Sequence, residues 1–138
     1  MEPIREAAAL SALLGSRVSR VSYDYSSLFF AILLHLQRTP YGLLGNLSRA
    51  LGVSQRTIER TVFISSGKTF RDLRKEVLIE RVTAIFASHP AQPIKELSFD
   101  LGYNSPRSFA RAVKLACGSS PQELRSRVIH DLLASHNA

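Results

Sequence analysis

Two short stretches of this chain concentrate hydrogen-bonding side chains at helical spacing. One carries Gln55, Arg56, Glu59 and Arg60, the other Ser105, Arg107, Ser108 and Arg111. Residues four apart share a helix face, so each stretch can present two guanidinium groups side by side. A guanidinium fork fits guanine O6 and N7, an amide fits adenine, and a carboxylate accepts from cytosine N4. Both sets therefore suit base edges in a major groove, where each good contact is worth about 1–3 kcal/mol of discrimination. Ser54, Lys68, Arg74 and Lys114 flank them and suit phosphate oxygens, which position a protein without specifying sequence. The alternative for each residue is a solvated charge. Glu59 in particular could simply orient Arg56 or Arg60 through a local ion pair.

Other chemistries find little support. His35, His89, His130 and His136 are scattered, with no i, i+4 pair to hold a metal. His130 and Asp131 are sequence neighbours that diverge on a helix and form no dyad. "GLLGN" at 42–46 lacks the Lys-Ser/Thr pair of a phosphate-binding loop. Neither a catalytic group nor a cofactor is expected. The single Cys117 rules out a disulfide framework and favours a reducing, cytoplasmic setting.

The elements that must hold the two clusters are written twice. "LSRALGVS" at 47–54 and "LSFDLGYNS" at 97–105 share Leu, Ser, Leu and Gly in the same order. In the second copy Pro93 suits a first helical turn, Ile94, Leu97 and Leu101 share a face, and Gly102 ends the helix. Ser105 then caps a second helix with Pro106 behind it. Its buried stripe is Phe109, Ala112, Val113 and Ala116, and Gly118 stops it. The first copy parses alike, with Leu44, Leu47 and Leu51, the break at Gly52, the cap at Ser54, and Ile58, Thr61 and Val62 on the buried side. Each copy has the form of a helix-turn-helix. The second turn is one residue longer, so Arg60 matches Arg111 and Gly67 matches Gly118 at an offset of 51.

Between the copies, about 69–88 reads as one long helix, with Thr69 and Asp72 as a capping pair and Pro90 beyond its end. Its roughly 18 residues would span about 27 Å, close to the ~34 Å turn of B-DNA. Ser120, Pro121 and Glu123 open a closing helix, and "SSLFFAILLHLQR" at 26–38 supplies one before the first copy. From residue 26 the count is seven helices. The expected organisation is an N-terminal extension over 1–27, then helix-turn-helix pairs at about 43–66 and 93–117 within 28–127, and a helix end and tail over 128–138. Ile4, Ala7, Ala8, Leu10, Leu13 and Leu14 give the extension a short amphipathic helix, read as cover for the apolar helix at 28–36, with dimerisation the alternative, and not as a signal peptide.

Charge follows the repeat. Residues 28–127 hold 15 Lys and Arg against 7 Asp and Glu, a balance of +8 in a chain of net charge +7. That is the electrostatic footprint expected for a polyanionic partner. The longest apolar run, "LFFAILLHL" at 28–36, is about half of what a membrane helix needs.

The arrangement resembles the DNA-binding domain of the AraC/XylS family of bacterial transcription regulators. "LSRALGVSQRTIERTV", the long helix and "IKELSFDLGYNSPRSFARAVKLACGSSPQELR" carry the likeness. Ile94, Gly102-Tyr103, Ser105, Phe109, Arg111, Lys114, Gly118-Ser119-Ser120-Pro121 and Arg125 fall at the family's places. The chain departs from the pattern at Ser48 and Ser98, where the family usually has Ala, at Val62-Phe63, and at Cys117, where an aromatic is common. The resemblance implies an all-α, homeodomain-like fold of two helix-turn-helix subdomains joined by a connecting helix. It implies a sequence-specific regulator that is no enzyme, acting on double-stranded DNA as a monomer or weak dimer. RNA polymerase is a candidate second partner. A non-specific architectural DNA binder and a helical protein-interaction module are the alternatives, the last drawing on Phe63.

Overall fold

The computed structural model describes residues 24–136. They form seven helices: α1 (Tyr25–Arg38), α2 (Leu44–Leu51), α3 (Gln55–Ser66), α4 (Phe70–Ser88), α5 (Ile94–Asp100), α6 (Pro106–Cys117) and α7 (Pro121–His136). No strand occurs among the described residues. The fold is all-α, as the periodicity requires. The amphipathic segment expected within 1–23 lies outside the described residues.

Two compact units divide the chain within α4, between Arg74 and Lys75. In the first, α1 packs on α2 and α3, and α2 on α3. In the second, α6 packs on both α5 and α7. The second unit's core consists of Leu78, Val82, Phe86, Leu97, Leu101, Phe109, Val113, Leu124 and Val128. Each has a counterpart 50 residues earlier, or 51 once the longer turn has been passed. These are Leu28, Ile32, Leu36, Leu47, Leu51, Ile58, Val62, Leu73 and Val77, and all are buried. The repeat therefore extends well past the helix pairs. The start of α4 matches α7, and its later part, Leu78, Val82 and Phe86, matches α1.

Most helix ends fall where side-chain chemistry puts them. Asp24 caps α1, accepting from the Ser27 N–H at 3.3 Å and the Ser27 hydroxyl at 2.5 Å. The Ser27 hydroxyl, followed by its N–H, holds the Asp24 carboxyl below its ordinary pKa. Thr69 accepts from the Asp72 N–H at 3.1 Å ahead of α4. At α7 the exchange is reciprocal: Ser120 N–H donates to Glu123 Oε1 at 2.8 Å, and Glu123 N–H to Ser120 Oγ at 3.2 Å. That is a complete capping box.

Gly102 closes α5 at positive φ, as expected, but one residue further from the helix than Gly52 stands from α2. The helix stops at Asp100, with Leu101 as its C-cap. Gly102, at φ 91°, follows. Gly102 N–H bonds to the Phe99 carbonyl and Tyr103 N–H to the Ser98 carbonyl, both at 3.0 Å. This pair of bonds is a Schellman motif, and it accommodates the extra residue of the second turn. Tyr103 then lies against Phe109, with ring centroids 5.3 Å apart. In α2 the cap is Gly52 itself, its N–H bonded to the Ser48 carbonyl. The small residues at 48 and 98 are satisfied locally. Ser48 Oγ donates to the Val53 carbonyl at 2.5 Å, and the fully buried Ser98 donates to the Lys95 carbonyl at 2.6 Å.

Candidate nucleic-acid interface

α3 and α6 are built alike. Each starts at a serine in extended conformation. Ser54 Oγ accepts from the Thr57 N–H at 3.0 Å, and Ser105 Oγ accepts from the Ser108 N–H at 3.1 Å. Each stops at a left-handed glycine, Gly67 at φ 73° and Gly118 at φ 80°. A side chain rarely adopts that conformation. The buried side of α3 is Ile58, Thr61 and Val62. The buried side of α6 is Phe109 and Val113, with Ala112 and Ala116 packed partly against the core. These anchors fix which face of each helix is turned outward.

Gln55, Arg56, Glu59 and Arg60 are exposed on α3, and Arg107, Ser108, Arg111 and Lys114 on α6. Within each unit the structure thus brings the expected side chains to one outward surface. α6 carries three basic residues and no acid, whereas α3 sets one glutamate against two arginines. The positive potential for an approaching polyanion is correspondingly stronger on α6. Gln55 lies back toward α2, its amide nitrogen 3.5 Å from where a Cβ on Gly45 would stand. Ser105 is half-buried, and its hydroxyl also sits 3.1 Å from that of Ser108. Thr57, absent from the sequence-based set, is the counterpart of Ser108, and its hydroxyl lies 2.8 Å from that of Ser54. The offset of 51 that relates Arg60 to Arg111 would have found it.

The flanking residues divide. Ser54 and Lys114 are exposed, and Lys68 is half-buried just past Gly67. Arg74 is half-buried and turned inward, with Nη1 donating to the Gly42 carbonyl at 3.2 Å. Phe63 is 64% exposed beside Ile64 at 54%. Among the described residues no group of three His, Cys, Asp or Glu side chains could hold a metal. No helix there is long and apolar enough to cross a membrane.

Residues 47–127, more than half of the chain, match a family model described as a helix-turn-helix domain. The C-terminal domain of AraT, a response regulator from Geobacillus stearothermophilus, is similar at 26% identity and TM-score 0.61. That match covers 79% of this chain and 88% of that one. The transcriptional regulator CdpR from Pseudomonas aeruginosa shares the fold at 24% identity and TM-score 0.62. Here 91% of this chain is covered but 40% of CdpR. An AraC-type transcriptional regulator from Chromobacterium violaceum shares the fold at 18% identity and TM-score 0.52, over 70% of this chain and 88% of its own. No curated protein matches the chain.

Proposed function

The chain belongs to the AraC-type helix-turn-helix family of DNA-binding regulators, and from that premise we propose that it reads a specific DNA sequence with α3 and α6 in successive major grooves. The observation that carries this reading is the matched exposure of Arg56 with Arg107 and of Arg60 with Arg111, each pair on a serine-capped helix. In this geometry the first turns of the two helices meet base edges. Gln55, Arg56, Glu59 and Arg60 serve one block of the site, and Ser105, Arg107, Ser108 and Arg111 the other. Thr57 joins the first set as the partner of Ser108. Ser54, Lys68 and Lys114 meet phosphates. Arg74, engaged with Gly42, is better placed as a support. The chain then acts in the cytoplasm as a monomer or weak dimer, with RNA polymerase the candidate protein partner and no enzymatic step.

In vitro selection with the purified chain is expected to return a bipartite site of about 20 bp, its two blocks about one helical turn apart. Arg60→Ala and Arg111→Ala should each relax a different block, costing about 1–3 kcal/mol of discrimination. A selection that yields no motif, with binding indifferent to both substitutions, sinks the reading. The exposed Phe63 and Ile64 favour a second one, in which the first unit serves as a protein-interaction surface. A gel shift at moderate salt separates the two.

A further inference from the structure

Two arginines outside the base-reading face make the same contact in the two units. Arg74, the fifth residue of α4, donates from Nη1 to the Gly42 carbonyl at 3.2 Å. Arg125, the fifth residue of α7, donates from Nη1 to the Gln92 carbonyl at 3.0 Å. The arginines are 51 residues apart and their acceptors 50, as the repeat requires. Each acceptor is itself held in a turn, with Gly42 N–H on the Thr39 carbonyl at 2.8 Å and Gln92 N–H on the His89 carbonyl at 3.1 Å. Gly42 is pressed so closely into its turn that a Cβ there would come within 3.0 Å of the Thr39 carbonyl oxygen.

Both acceptors stand one residue ahead of the N-cap of the helix that precedes a recognition helix. Those N-caps are Leu43 for α2 and Pro93 for α5, and neither makes a side-chain capping bond. The recognition helices, by contrast, each have a serine cap. A cation at a helix start meets the positive end of the helix dipole, so helix electrostatics does not favour an arginine there. What the bond supplies is geometry. It is charge-assisted, half-buried and directional. It closes a loop of chain between residues 32 apart in the first unit and 33 apart in the second. Each loop contains the uncapped helix, the turn and the whole recognition helix.

We propose that Arg74 and Arg125 are positioning residues, each clasping the uncapped start of the helix that sets the angle of its recognition helix, and that neither is a phosphate ligand. This role rests on the DNA-reading function proposed above. Removing one clasp should loosen base discrimination in that unit's block of the site. The charge-driven attraction to DNA should stay as it was.

The test uses Arg74→Met and Arg125→Met in the full chain. Amide exchange without DNA reports the clasp directly, through the first intrahelical bonds, Leu47 N–H to Leu43 O and Leu97 N–H to Pro93 O. Arg74→Met should speed exchange at Leu47 roughly tenfold and leave Leu97 alone, with the reverse for Arg125→Met. On a duplex of unrelated sequence, the slope of log affinity against log salt should not change, whereas loss of a phosphate ligand would lower it by about 0.9. Should a Met variant fail to fold, Arg→Lys at the same position decides the matter. It keeps the charge but has a shorter reach and no fork, so exchange at the matching leucine should still rise. Unchanged exchange at Leu47 and Leu97 overturns the proposal, as does a drop of about 0.9 in the slope for the Met variants. The exchange measurement involves no DNA, so it judges the clasp even if selection yields no motif.

Discussion

Phe63 and Lys114 stand at the same place in two equivalent helices, and both are exposed. In the proposed docking, a lysine there neutralises a phosphate and a phenylalanine does not. Phe63→Lys should therefore steepen the salt dependence of DNA binding by about 0.9 in the log–log slope, and Lys114→Ala should flatten it by about the same. Fluorescence anisotropy across a salt series measures both, and no response to either substitution would detach this position from DNA. The rest of the outward face could be read from sequence because Ile58, Val62, Phe109 and Val113 mark its opposite side at a period of 3.6. Thr57 was not legible in the same way. A threonine there carries no strong burial signal; the offset of 51 from Ser108 marks the position, and its hydroxyl contact with Ser54 shows where it points.

Several helix starts were legible because the capping group is local, although the Asp24–Ser27 cap of α1 went unread. Ser54, Ser105 and the Ser120–Glu123 box depend on residues three apart, and the spacing was visible in the chain. The box also carries a pH dependence. The Ser120 N–H bound to its carboxylate, followed by the Ser120 hydroxyl, holds Glu123 below the ordinary glutamate pKa of 4.5. A carboxylate with a depressed folded pKa stabilises fully above its unfolded value and loses that contribution as pH falls through the folded one. The start of α7 should therefore loosen on acidification below 4.5. Glu123→Gln should remove that part of the acid dependence, as amide exchange at the Leu124 N–H can report. An acid response identical in the substituted chain would show that the box contributes nothing. The end of α5 was less legible, because a Schellman motif and a simple glycine cap have the same Leu-Gly spelling. Packing of Tyr103 on Phe109 accompanies the former.

Over the whole molecule, the same nine core places are used twice, with Ile58 in one unit where Phe109 stands in the other. Phe109 is fully buried and meets Tyr103. Phe109→Ala should cost about 3–5 kcal/mol, a large fraction of the ~5–15 kcal/mol that holds a typical domain together. Chemical denaturation followed by circular dichroism should show the loss, and a change below about 1 kcal/mol would mean that the site collapses around the cavity. Charge works on the same scale. The excess of +8 over residues 28–127 attracts any polyanion, so it contributes affinity without choosing a sequence.

By itself the sequence determined the number and type of the helices from residue 26 on, most of their caps, their buried stripes, and the outward faces of α3 and α6. Each of these depends on residues within about one or two turns of one another, where propensity, capping and the 3.6-residue period act. Tertiary structure alone decided that Arg74 turns to Gly42 and Arg125 to Gln92, contacts 32 and 33 residues apart. It also decided that α4 repeats α7 at its start and α1 further along, a likeness hidden because Leu36 and Phe86 do the same work with different side chains. No local period carries such information. A core accepts any apolar side chain of suitable volume, and a long arginine finds its carbonyl only once the chain between them has folded.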